Sequence, residues 1–454
     1  MVPAIRVPRR AQFAAVAAVA ALALTACTPD EPAPTPSTSA PTEPVVTAAP
    51  SESQSAAPAP MAIGELASVP LTVADGVDPG PAQGRSVNLP EGWSAEVWTA
   101  IPDARLAAWT PDGRLLVSSG DFGVVHVLTP GQGGEAPASS VMLDGLRSPQ
   151  GLAFTDDGAT LVVGESDRLV AYDYAAGVAS NPRVILDGLP SNGHGAKAVA
   201  ISEGTVYYSL GSRSNREPAE REANPERAAV GAVGLDGSGN RVFARGVRNG
   251  FALDFAPDGT LFVAVNQMDN LPYPFQDDSG RFGEVFTEFV NDNPVEQLTR
   301  LTDGIDLGWP LCVPDSRDGV TDVPYVPDAE FNADGSRLDC GALPATQVGL
   351  PAHSAPLGMT FTHDTALADV LGAGALVGAH GSWNRTPPQE PYVAFAPWDD
   401  ATATLGAAQY LMTGFQDDGG ARWGRPVMPV VGPDGSVYVT DDHAGLVYRL
   451  TPGP

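Results

Sequence analysis

Five stretches of this chain repeat one phrase, a turn built on an acidic residue and glycine followed by alternating β-branched and aromatic residues. They are TPDGRLLVSS (110–119), TDDGATLVVGE (155–165), ISEGTVYYSL (201–210), APDGTLFVAV (256–265) and GPDGSVYVTD (432–441). Glycine supplies the positive φ of a tight hairpin, and the strand after it turns alternate side chains to opposite faces. A degenerate sixth copy is LADVLGAGALVGAH (367–380). The turn glycines Gly113, Gly158 and Gly204 are 45 and 46 residues apart, and Gly259 follows after 55. That period is one four-stranded blade. Six copies predict an all-β fold, a six-bladed β-propeller, over residues 85–454.

The 115 residues from Gly259 to Gly374 call for an insertion. Residues 270–350 are therefore expected to form long loops on one face, the usual place for function on a rigid scaffold. The strand in GWSAEVWTA (92–100) precedes the first repeat and is expected to complete the last blade, closing the ring.

The N-terminal region does not belong to the ring. Residues 1–26 carry three arginines, an Ala/Val/Leu run and small residues, the layout of a bacterial export signal. Leu24-Thr25-Ala26-Cys27 resembles a lipobox, with Cys27 as the acylated residue. Residues 27–60 are Pro-, Ser-, Thr- and Ala-rich, a disordered tether. The expectation is an exported protein, lipid-anchored to the outer face of the cell membrane. In such a compartment Cys312 and Cys340 are expected to be disulfide-bonded. The alternative is a metal pair, but two cysteines with no histidine between them make a poor zinc site. A net charge of −29 argues against nucleic acid or anionic lipid as a partner.

Against that acidic background, a few basic residues fall in Gly-rich loop phrases. His194 and Lys197 lie in SNGHGAKAVAIS (191–202), which holds the only lysine beside 24 arginines. His353 lies in PAHSAPLG, His380 in GAHGSWNR with Arg385, Arg248-Asn249 in GVRNGFAL, and Arg422 and Arg425 in ARWGRPV. Small neighbours let a flat ligand come close. Propeller loops on one face converge on the axis, so these phrases predict a cationic funnel for a ligand with several carboxylates or phosphates. The competing role for the arginines is ion pairing between blades.

GHGAK, GVRNGFALDFAPDGTLFVAVNQMDN, DLGWPLC, PAHSAPLGMTF, HGSWNR and GRPVMPVVGPDGSVYVTDDHAGLVYRL together resemble the sorbosone dehydrogenase and soluble aldose (glucose) dehydrogenase group of quinoproteins, over roughly residues 85–451. The resemblance implies pyrroloquinoline quinone (PQQ) and Ca²⁺ as cofactors, and hydride transfer from a sugar or related alcohol or aldehyde to the quinone. It implies His194 as the base, a role that suits an imidazole. It also implies Arg248 and Asn249 against the quinone, and Arg425, Arg422 and Arg385 on its carboxylates, with His353 and His380 lining the cofactor site. The loop VNQMDN corresponds to the family's calcium loop, making Gln267, Met268 and Asp269 the candidate ligands.

Two departures stand out. Gly193 replaces the aspartate that orients the histidine in the soluble glucose enzyme, and LRSPQGLAF offers either Arg147 or Gln150 as the first-blade contact. Both bring the chain nearer the sorbosone-type branch. In a regular strand Lys197 has the opposite parity to His194 and points away from the funnel; a bulge at Gly195 would turn both toward the cofactor, the role expected for it. Substrate and external electron acceptor follow from the same resemblance. A non-catalytic propeller binding a carbohydrate or protein, and a calcium-dependent lactonase, are the alternatives. The lactonase needs several acidic or amide ligands, whereas the funnel phrases are mostly basic.

Overall fold

The computed structural model describes residues 63–132 and 135–453. The expected signal peptide, Cys27 and the tether lie outside the described residues. Six blade sheets follow one another around the ring, antiparallel but for one added parallel strand in the closing blade. Blade 1 comprises strands Ala107–Trp109, Leu115–Ser119, Val124–Thr129 and Ala138–Leu143. Blade 2 runs from Leu152 to Asp187 and blade 3 from Val199 to Arg245. Blade 4 is built from Ala252–Phe255, Leu261–Val265, Glu296–Leu301 and Thr346–Leu350. Blade 5 runs from Pro356 to Met412, and blade 6 begins with Pro426–Val431, Val437–Asp441 and Leu446–Thr451. The first strand of each blade packs against the first strands of its two neighbours, so the six close around an axis. The fold is a six-bladed β-propeller.

The repeated turn has one structural meaning. Each copy joins the innermost strand of a blade to the second, with Gly113, Gly158, Gly204, Gly259 and Gly435 all at φ between +67° and +79°. In blade 5 the degenerate copy instead uses a helical turn, Ala368–Leu371, ended by Gly372 at φ +82°. Separate apolar layers fill the gaps between blades: Leu116, Leu161 and Val163 between blades 1 and 2, Phe262, Met359 and Val377 between blades 4 and 5. Burial of such layers is the main stabilising term.

Ser94–Ala100 pairs antiparallel with Leu446–Thr451, so the strand before the first repeat completes the last blade and closes the ring, as expected. The closing sheet reaches further back than residue 85. Leu66–Val73 adds in parallel to Ser94–Ala100 and in antiparallel to Ser86–Pro90. That hairpin crosses to blade 5, where Asn88 exchanges backbone hydrogen bonds with Thr413.

Both insertions lie inside blade 4. Residues 266–295 link its second and third strands. Residues 302–345 climb beside the outer strand of blade 3, where Arg245 donates to the Ile305 carbonyl and Leu307 to that of Arg245. The second insertion holds a two-stranded ribbon, Cys312–Pro314 with Tyr325–Pro327, and the Cys312–Cys340 disulfide.

Candidate functional site

Strand direction sorts the loops. The repeated turns occupy one end of the ring, and the other end collects the segments entering each first strand and leaving each second strand. Arg105, Gln150, His194, Arg248, His353 and Arg425 lie on entering segments; Ser212, Gln267, His380 and Asp442 lie on leaving ones. Every polar cluster below is built from these two kinds of segment.

His194 stands at the mouth of blade 3. Its Nδ1 lies 2.9 Å from the Ser212 carbonyl oxygen and 3.0 Å from the Ser212 hydroxyl. That hydroxyl donates to the Ser214 carbonyl at 2.7 Å, so toward the imidazole it can only accept. Nδ1 therefore carries the proton and Nε2 keeps its lone pair. Burial, with the Arg248 charge adding to it, pushes the imidazole down to about 4, so the ring is neutral at neutral pH. The orienting group that Gly193 does not supply is Ser212, whose loop is held by Glu220 accepting from the backbone of Arg213 and Ser214.

Arg248 is 4% exposed. Its guanidinium donates only to neutral oxygens: the Asn215 carbonyl at 3.2 Å, the Asn215 side chain at 3.1 Å and the Asn266 carbonyl at 3.0 Å. No carboxylate lies within ion-pair distance of it among the described residues. Burial lowers its pKa, with Asp269 and Glu296 acting against that from further away. An uncompensated buried cation is costly, and an anionic ligand offsets that cost. Asn249 is buried beside it, against Gly211.

On the opposite side of the axis Asp442 gathers three basic groups. Its carboxylate, 2% exposed, pairs with Arg105 and with Arg425 (Nε to Oδ1, 2.8 Å), and lies 3.5 Å from His380 Nε2. Burial works to raise the Asp442 pKa, but His380, Arg105 and Arg425 hold it below the usual range. Burial drives the His380 pKa down, against the attraction of Asp442. Arg105 also donates to Gln150, which is buried at this end of the ring, whereas Arg147 is exposed and paired with Asp167. Arg422 is bound by the Ser382 and Gln389 carbonyls and Gln416, without an acid.

The third cluster belongs to blade 4. Glu296 is fully buried and accepts from the backbone of Gln267 and Ala355, and burial pushes it up to about 7. His353 Nε2 faces the Val290 carbonyl at 2.6 Å and Nδ1 faces the Asp269 carboxylate at 3.3 Å. Burial opposes protonation there, but Asp269 and Val290 outweigh it and raise the pKa.

Three expectations change. Lys197 has no exposure; its ammonium donates to the carbonyls of Pro190, at 2.8 Å, and Gly195. It presents nothing to a ligand, because His194 and Lys197 both precede the strand Val199–Ser202 and the irregular segment turns the ammonium onto its own carbonyls. Arg385 pairs with Asp292 at 3.1 Å in the groove between blades 4 and 5, binding the 382–388 loop to the first insertion rather than facing the axis. The Met268 thioether is packed against Trp309 and Leu271, so only its carbonyl is open to a metal. Asp269 is committed to His353 and Asn215. No cluster of three or more His, Cys, Asp or Glu fit to hold a metal occurs among the described residues. A calcium ion here would draw on the Gln267 and Met268 carbonyls, neither of which accepts a hydrogen bond among those residues, and on the unpartnered Gln267 Oε1. Hard oxygens of this kind fit calcium.

Sequence reasoning passed over Ser212, Arg105, Asp442 and Glu296. Ser212 and Asp442 closely follow the repeated phrases that end at 210 and 441, so an alignment of the repeats picks them out, whereas no predicted strand adjoins Arg105 or Glu296. It also passed over Trp383, 75% exposed beside Asn270 and Asn384 at the rim.

Comparison with known proteins completes the picture. The TrAA12-like family matches residues 87–453. The chain belongs to the TrAA12-like family. It is 27% identical over 387 residues to the pyrroloquinoline quinone-dependent pyranose dehydrogenase of Coprinopsis cinerea, an alignment covering 74% of this chain and 51% of that one. The chain thus spans about half the length of this curated relative. Among solved structures, the holo PQQ domain of the Coprinopsis cinerea enzyme superposes with a TM-score of 0.69 at 23% identity, covering 84% of this chain and all of that one. The calcium structure of a Trichoderma reesei family AA12 enzyme gives 0.69 at 18%, with the same coverage. The PQQ-bound aldose sugar dehydrogenase of Streptomyces coelicolor gives 0.51 at 15%, covering 80% of this chain and all of that one. The structures establish a shared fold across the TrAA12-like family and the aldose sugar dehydrogenases.

Proposed function

We propose that this TrAA12-like chain is a PQQ-dependent oxidoreductase acting on the hydroxyl-bearing carbon of a sugar. The observation that carries the proposal is the pairing of a neutral imidazole, its Nδ1–H fixed on Ser212, with the uncompensated Arg248 guanidinium one segment away. The name and cofactor of the Coprinopsis relative support the same conclusion. When bound, the quinone supplies the two-electron acceptor for hydride, and calcium supplies Lewis-acid polarisation.

The protein's own part is binding and proton transfer. Arg248, Asn249, Arg422 and Arg425 would bind the carboxylates of a flat anionic cofactor, with Asp442 tempering the charge on the blade 6 side. The Gln267 and Met268 carbonyls would hold the metal. His194 accepts the substrate hydroxyl proton at Nε2 as the carbon-bound hydrogen departs with its electron pair, and Ser212 keeps the ring in the accepting tautomer. Trp383 offers a flat apolar face to a sugar ring at the rim.

The test is a titration of residues 60–454 with PQQ, with and without Ca²⁺, followed by dye reduction on a panel of aldoses. Calcium-dependent binding with turnover lost in His194→Ala supports the proposal; no binding at micromolar PQQ refutes it. We further propose, from residues 1–60, that the enzyme is exported, is anchored through a lipid on Cys27, and passes its electrons to an external acceptor. Metabolic labelling with radioactive palmitate, absent in Cys27→Ala, checks the anchor.

A further inference from the structure

The segment carrying His194 is a knot with no regular structure. Gly195 N–H donates to the Gly193 carbonyl at 2.9 Å, closing a three-residue turn centred on the histidine, and Gly193 has φ +63°. The knot leaves no space beside it: a Cβ on Gly211 would lie 2.5 Å from the His194 Cβ. Such a turn directs several backbone carbonyls inward, and buried carbonyls require donors.

Two buried cations supply them. Lys197 donates to the carbonyls of Pro190 and Gly195, one at each end of the knot. Arg227, 6% exposed, donates to the Asn192 carbonyl and side chain, both at 2.8 Å, and to the Gly211 carbonyl at 2.7 Å. Neither makes an ion pair with a carboxylate among the described residues. For stability alone this is a poor arrangement, since each charge is desolvated without an opposite charge in contact. What it provides is five hydrogen bonds on a short segment and its partner strand end. Their geometry fixes where the imidazole stands.

We propose that Lys197 and Arg227 are positioning residues, which grip residues 190–195 by their carbonyl oxygens and so hold the His194 ring on Ser212. The role rests on His194 being the base, as proposed above. It accounts for the lone lysine of the sequence: a compact ammonium with three donors fits between two carbonyls in a slot with no solvent, and the planar guanidinium fork spans the main chain and side chain of one residue.

The test compares Lys197→Met with wild type by steady-state kinetics, by PQQ titration, and by nitrogen NMR of the His194 ring, assigned with His194→Gln. Wild type is expected to show one tautomer, protonated at Nδ1. In Lys197→Met, kcat is expected to fall by about tenfold or more, as misplacement of a catalytic group does. PQQ affinity and KM should stay within about threefold, because the loss is confined to the reacting step. The ring signals should average between tautomers. Unchanged kcat and ring signals overturn the proposal, as does a parallel fall of kcat, cofactor affinity and thermal midpoint, which marks a merely structural lysine.

Should Lys197→Met fail to fold, Asn192→Ala removes one Arg227 contact from an exposed residue. It is expected to lower kcat by about threefold with the same tautomer averaging, and unchanged values overturn the proposal. If wild type neither binds PQQ nor oxidises sugars, the functional proposal fails by itself. The ring signals then decide the positioning role alone: a single tautomer in wild type and averaging in the variants supports it, and any other pattern overturns it.

Discussion

The Nδ1–H of His194 is shared between two oxygens of a single residue, the carbonyl and the hydroxyl of Ser212, at 2.9 and 3.0 Å. Because the hydroxyl proton is already committed to Ser214, the tautomer is fixed without a carboxylate. A carboxylate would raise the imidazole pKa, whereas this arrangement leaves burial and Arg248 to lower it. The imidazole therefore stays neutral over an unusually wide acid range.

The first prediction concerns pH. A histidine with its pKa lowered to about 4 keeps the base form from neutrality down to mildly acidic solution, and loses it as pH falls through about 4. The kcat/KM profile should be level on its acid side to about pH 5 and decline below that, rather than decline near 6.5 as an unperturbed histidine would. His194→Ala should cost about 10²- to 10⁴-fold in kcat with PQQ affinity nearly unchanged. A rate that halves near pH 6.5 would refute the assignment of the base.

Arg248 makes the second. Replacement by Gln removes charge-assisted hydrogen bonds to a bound anion, each worth about 1.5–3 kcal/mol. PQQ binding should weaken by about 10- to 100-fold. The ligand-free protein should lose little stability, since an uncompensated buried charge leaves with the side chain. Comparing thermal midpoints with and without PQQ separates the two effects, and a large loss in the free protein would show that Arg248 is structural.

Asp442→Asn should act in the opposite sense. The carboxylate is nearly inaccessible and neutralises Arg105 and Arg425 together, so its loss leaves neighbouring cations unscreened. Breaking such a pair costs about 3–5 kcal/mol. Added sulfate or citrate should restore part of the lost thermal midpoint by occupying the cationic end of the ring. Absence of anion rescue would mean that Arg105 and Arg425 find other acceptors.

The Cys312–Cys340 disulfide closes a 28-residue separation within the second insertion of blade 4. Chain entropy puts its contribution at about 3–4 kcal/mol. Both Asn332 and the ribbon pack on it, so its removal should open residues 302–345 to protease before any blade unfolds. Limited proteolysis of the double Cys→Ser variant under native conditions checks this.

The ring was legible because its signal is periodic: turn glycines are needed once per blade, and no other residue tolerates that φ as well. Six loop phrases also placed His194, Arg248, Asn249 and Arg425 correctly at one end. What stayed hidden were long-range pairings. Nothing near Arg385 in the sequence announces Asp292, and nothing near Gly193 announces that Ser212 would take the place of an aspartate. The place of Lys197 was hidden too, because charge suggests a ligand, while its burial depends on carbonyls folded over from residues 190 and 195.

The closing sheet has a consequence for how the molecule is made. Ser94–Ala100 leaves the ribosome long before its partner Leu446–Thr451. Until residues 426–451 are made, the segment meant to complete blade 6 has no blade to join and one edge of it is exposed. The hairpin of Leu66–Val73 and Ser86–Pro90 covers one side of that waiting strand from the start. It can act as a built-in guard against wrong partners until Leu446–Thr451 arrives.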